Sequence, residues 1–208
     1  MKVSLLIGIY FVMLGCNYPV EQSAVQQPVL SIPRKMPDTA IHPGTVFGEL
    51  LLLQKDLQAQ SANENPDIGY TSAMMKYFTT VISLSDLELS QGGHAIIAAK
   101  ANELNLYASR ELPVLQRMVI DLKNGKTSGK QVLVDAEFKS GNYAERIAHF
   151  SSADNQYSKA MILLSEAIIT FSNKSLTGII DKKLRIKLRA YVAFFRSQEK
   201  FFKKIKAD

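Results

Sequence analysis

The chain of 208 residues has no tryptophan, one cysteine and three histidines. A single cysteine excludes an internal disulfide, a cysteine-based zinc site and an iron–sulfur cluster. His42, His94 and His149 have no second histidine at i+3 or i+4, so no chelating pair forms on a helix. Glu-x-x-His, which a ferritin-type di-iron site needs on two of its helices, occurs nowhere. The P-loop, G-x-G-x-x-G, G-x-S-x-G and H-E-x-x-H motifs are also absent. Runs of alternating polar and apolar residues long enough to build a sheet are missing, which points to an all-α class. The formal charge of +6, from 25 Lys and Arg against 19 Asp and Glu, is a bias short of what a dedicated nucleic-acid binder carries. No reaction is written in this chain.

What is present starts at residue 3. Val3 to Leu14 is an apolar run, short for a membrane span, preceded by Lys2 and ending in Met13-Leu14-Gly15-Cys16. A small residue directly before a cysteine at the close of such a run resembles the lipobox of bacterial lipoprotein signal peptides, although Met13 is unusual at its position. The resemblance implies that residues 1–15 are removed and that Cys16 becomes a lipidated first residue. It also implies a bacterial cell-envelope location, anchored through that lipid. Asn17 is not the aspartate retention signal, so the outer membrane or periplasmic face is preferred to the inner membrane. An ordinary secretory signal with an incidental cysteine is the alternative. Residues 16–43 hold five of the seven prolines (Pro19, Pro28, Pro33, Pro37, Pro43), a density that blocks helix and suits an extended tether.

The remainder, 44–208, reads as helices. Val46, Leu50, Leu53 and Leu57 line one face of a short helix over 44–59. A second helix, over about 68–90, carries the stripe Tyr70, Met74, Phe78, Val81, Ile82, Ser85, Leu89 and is stopped by Gly92-Gly93. A third, over about 95–123, carries Ile97, Ala101, Leu104, Ala108, Glu111, Leu115, Met118 and Leu122 and stops at Asn124-Gly125. A short helix is expected at 143–150, then long ones at about 156–172 and 180–206.

An offset of 87 residues, without a gap, brings these hairpins into phase. Asp67, Tyr70, Ala73 and Met74 fall on Asp154, Tyr157, Ala160 and Met161, and Ser85 falls on Ser172. Repeat 1 spans about 67–123 and repeat 2 about 154–206. Two such hairpins bury their stripes only against each other, so the expected architecture is an up-down four-helix bundle, with a short helix ahead of it. Chance agreement between two heptad-patterned segments is the competing explanation.

Asp, an aromatic and then Ala-Met-Met at a helix start, followed by a turn and a helix with Glu inside its stripe, is similar to a bacterial ferritin-like family. These are the envelope proteins called domain of unknown function 305. The family's Met-Met-x-x-His-His signature implies transition-metal binding. Here it reads Met74-Met75-Lys76-Tyr77-Phe78-Thr79, with neither histidine. The resemblance therefore implies the fold but not the metal, and with no reaction motif present the expected function is a non-enzymatic binding or structural module without a cofactor. The alternative is a copper- or iron-binding or storage protein with a degenerate site built from Glu111, Met74, Met75 and His94.

Glu111 interrupts an apolar stripe, so it has to be paired, protonated or bound to a cation if it is buried. Its counterpart is Gln198, and Pro113 two residues on deprives the Ser109 carbonyl of its helical partner. The last helix holds Lys182, Lys183, Arg185, Lys187 and Arg189 in its first turns, and five more cations beyond. They flank the stripe and are candidates for contact with anionic lipid or an envelope protein partner, with plain solvation the simpler role.

Overall fold

A computed structural model describes residues 44–60, 65–125 and 143–205. The expected signal peptide, Cys16 and the tether lie outside the described residues. Five helices are present there and no strand: α1 (Val46–Ala59), α2 (Pro66–Gln91), α3 (Ala95–Asn124), α4 (Ala153–Ser175) and α5 (Lys182–Lys204). None is long and apolar enough to cross a membrane. The helix expected over 143–150 is instead a run of turns. Ile147, Ala148 and Phe150 donate to carbonyls three residues back, and Ala144 and Ile147 reach the core without an α-helical turn.

Four of the five helices start at a residue whose side chain accepts from their first amides. Thr45 accepts from the Gly48 amide at 3.0 Å at the head of α1. Asn65 accepts from Asp67 and Ile68 at 2.9 and 3.4 Å, ahead of Pro66 in the first turn, where its missing N–H costs nothing. Ser152 accepts from Asn155 at 3.2 Å, and Asp181 from Leu184 at 2.7 Å. His94 occupies the N-cap of α3 without a side-chain cap. Its end is held from elsewhere in the chain, as described below.

Helices α2 and α3 form one antiparallel hairpin and α4 and α5 the other. Tyr70 on α2 meets Ser172 on α4, while Ser85 meets Tyr157, so α2 and α4 also run antiparallel. The second hairpin is inverted on the first, and the order is up, down, down, up. The segment joining α3 to α4 therefore links opposite ends of a four-helix bundle, as a long crossover does. Helix α1 lies across α2 and α4, seating Val46, Leu50, Leu53 and Leu57 in their outer groove. Each such leucine contributes roughly 2 kcal/mol by leaving water.

Phe78 anchors the centre of the core. Its ring packs on Tyr191 and Phe195 of α5 at centroid distances of 5.1 and 5.9 Å, and on Tyr107 of α3 at 6.1 Å. Tyr107 in turn stacks on Phe194 at 3.6 Å, which joins α3 to α5. Most of the expected stripes face inward, with one exception. Leu89 is 46 % exposed, whereas its neighbour Glu88 is 1 % exposed. The interior face of α2 turns at its C-terminal end toward a polar cluster, which takes the carboxyl side chain in place of the leucine.

Candidate functional site

The offset of 87 reappears as an exchange of hydrogen bonds. Asp67, in the first turn of α2, accepts from the amides of Ile180 and Asp181, both at 2.9 Å, at the entry to α5. Asp154, in the first turn of α4, accepts from Gly93 at 3.2 Å and His94 at 2.9 Å, at the entry to α3. Adding 87 to Asp67, Gly93 and His94 gives Asp154, Ile180 and Asp181. The tyrosine pairs obey the same rule: Tyr70 to Ser172 at 2.8 Å and Tyr157 to Ser85 at 3.2 Å. Each hairpin thus caps the return helix of the other. A carboxylate suits both places, because a helix N-terminus carries partial positive charge and unsatisfied amides.

Glu111 is one point where this symmetry lapses. Its carboxylate accepts from Lys187 Nζ at 2.7 and 3.0 Å and from the Tyr191 hydroxyl at 2.8 Å. The Glu111 side chain is 18 % exposed and that of Lys187 33 %, so the pair sits at the edge of the core with water on one side. Burial, and then the adjacent Glu111 charge, hold the Tyr191 phenol well above its usual range. Gln198, the equivalent of Glu111, is buried, and its Nε2 donates to Ser197. Helix α3 runs unbroken through Pro113. Lys187→Met is expected to cost about 1 kcal/mol in urea unfolding, since the pair is partly solvated. Adding Glu111→Gln is expected to restore part of that loss, and strict additivity of the two changes would show the contact to be idle.

The other candidate metal ligands point to different places. Met74 is fully buried in the apolar core. Met75 lies one residue round the helix, in a groove of about 460 Å³ between α1 and α2 lined also by Glu49, Leu53, Asp56, Lys76 and Thr80. His94 stands at the start of α3 and Glu111 near its middle, about 25 Å away at 1.5 Å per residue. The four side chains do not converge. Among the described residues no three of His, Cys, Asp and Glu are grouped to hold a metal ion.

The basic residues at the start of α5 divide in two. Lys182, Lys183 and Arg189 are exposed. Arg185 turns back to donate to the Ile179 carbonyl at 2.5 Å, and Lys187 is taken by Glu111. Beyond them Arg196, Lys200, Lys203 and Lys204 are exposed, with Lys203 bridging Glu166 and Glu199. The cationic face of α5 therefore consists of its outer residues and excludes Arg185 and Lys187.

Glu88 is the carboxyl group that the sequence pattern passed over. It is buried at the end of α2, and neither of its oxygens has a hydrogen-bond donor. The clue available was its place in the turn before Gly92-Gly93. A Cβ on Gly92 would stand 2.7 Å from the Glu88 carbonyl oxygen and 2.2 Å from its Oε1, so the carboxyl folds over a residue that has to be glycine. The chain matches no protein-family model, no curated protein and no solved structure.

Proposed function

We propose that the protein is a lipid-anchored cell-envelope module whose helical bundle binds or braces a surface and performs no chemistry. The single observation that supports this reading is the one-sided charge of α5. Lys182, Lys183, Arg189, Arg196, Lys200 and Lys204 point to solvent on a helix whose opposite face is sealed into the core. The anchor expected at Cys16 would hold that face near anionic headgroups, where each cation adds about 1 kcal/mol of attraction. Two signals, acyl chain and basic patch, together give firmer membrane attachment than either alone.

The resemblance to domain of unknown function 305 enters here as a proposed kinship in fold, of the ferritin-like kind. The copper- or iron-binding alternative would work through Glu111, Met74, Met75 and His94. Glu111 already has a lysine and a tyrosine as partners, and the four side chains lie apart.

Two measurements test the proposal. The full-length protein is expected to partition into the detergent phase, with Cys16→Ser shifting it to the aqueous phase. Protein carrying Cys16→Ser is expected to sediment with vesicles containing phosphatidylglycerol and not with neutral ones, and to be released by about 0.5 M salt. Replacing Lys182, Lys183 and Arg189 by Gln is expected to weaken that binding at least tenfold, at about 1 kcal/mol per charge. Equal binding to neutral vesicles, or stoichiometric copper or iron in the purified protein, would send the reading back to its alternative.

A further inference from the structure

The best-placed group outside these roles is the carboxyl cluster where α2 turns into α3. Glu88 and Asp154 meet at the Gly92-Gly93 turn: Glu88 Oε1 lies over Gly92, and Asp154 Oδ2 accepts from the next amide, that of Gly93, at 3.2 Å. Asp154 already accepts from the Gly93 and His94 amides. The Gly93 amide reaches both of its oxygens and the His94 amide one, which favours the ionised form, and these bonds help keep the Asp154 carboxyl below its usual range even though burial pulls the other way. Glu88 has no such donors. As a carboxylate it would be a buried charge beside another of the same sign, with both oxygens unsatisfied. As a carboxylic acid it donates its proton to Asp154 and completes the cluster.

We propose that Glu88 and Asp154 share one proton in a latch that ties the start of α3 to the start of α4, and that loss of this proton releases the tie. The fold supplies its own comparison at the other end. The Asp67 tie to Ile180 and Asp181 has the same geometry, but the residue equivalent to Glu88 there is Ser175, a neutral hydroxyl. Only one end of the bundle therefore has a second carboxyl group at this position beside its tie.

No donor reaches either Glu88 oxygen. From α4 it faces Asp154 and Tyr157, whose own phenol is raised by burial and by the Glu88 charge. From the turn it has His94, whose Nδ1 is itself buried without a partner, and Phe202 of α5 packs on Tyr157 at 5.7 Å. Burial first, and then Asp154, push the Glu88 carboxyl up from 4.5 to about 8. The folded state holds the proton more tightly than the unfolded chain does. The contribution of the latch to stability is therefore complete below about pH 4.5, declines as pH rises, and is gone above about pH 8.

Hydrogen exchange on the full-length chain reads the two ties side by side. Corrected for intrinsic rates, protection of the Gly93 and His94 amides is expected to fall about tenfold more than that of Ile180 and Asp181 between about pH 6 and about pH 9. Glu88→Gln, whose amide donates to Asp154 at any pH, is expected to abolish that difference. Glu88→Ser, the residue the fold already accepts at the equivalent position, is expected to abolish it too and serves should the glutamine variant fold poorly. A wild-type protein whose two ties respond alike, or variants that keep the difference, would overturn the proposal. So would restoration of the wild-type tie at about pH 9 by millimolar magnesium or calcium, since the two carboxylates would then be holding a cation and not a proton.

Discussion

Phe78→Ala is expected to cost about 4 kcal/mol in urea unfolding, the largest loss from any single truncation in this bundle. Phe78 is fully buried and touches rings on α3 and on α5. Removing it leaves a cavity bounded by Tyr107, Tyr191 and Phe195. Tyr191 is fixed by its hydrogen bond to Glu111, and Tyr107 by its stack on Phe194, so neither can slide in to fill the space. Phe78→Leu, which refills much of the volume, is expected to recover at least half of the loss. The site would be shown to collapse freely if the alanine variant lost less than about 1.5 kcal/mol.

Asp67→Asn carries the second large effect, about 2 to 3 kcal/mol. Asp67 is completely buried, and each of its oxygens accepts one amide, Ile180 on Oδ1 and Asp181 on Oδ2. Asparagine keeps the shape but turns one acceptor into a donor, which leaves one of those amides facing an N–H. Asp154→Asn makes the same exchange at the other end, where Asp154 is half-buried and water can take over part of the lost bond. Its cost is expected to be smaller. Equal midpoints for the two variants would mean that burial at Asp67 adds nothing to its tie.

Much of this was legible because it follows from periodicity. Leu50, Leu53 and Leu57, Ile97 to Leu122, and Leu184 to Phe202 sit at spacings that can only form one face of a helix, and those faces are buried. Glu111 was legible as an interruption, since a carboxylate in such a face requires a partner. Its partners Lys187 and Tyr191 were not, because 76 and 80 residues of chain separate them from it. Arg185 and Lys187 looked like their exposed neighbours, and only the tertiary fold shows that they turn inward. Asp67 and Asp154 were visible as matched positions, but their task depends on two hairpins crossing in space. Glu88 escaped because α2 is enclosed by α1 on one side and the bundle on another. A helix covered on two sides has no single stripe, and a glutamate beside Leu89 looks as if it should be the exposed one.

The exchanged aspartates also set the order in which this molecule can assemble. Each of the two hairpins forms from near neighbours in the chain, a fast event. The bonds between them close loops of 60 to 114 residues and cannot form until both hairpins exist. Docking of one preformed half onto the other is therefore expected as the slow step of refolding. Once docked, neither half can melt without uncapping its counterpart, so the bundle should come apart in one transition.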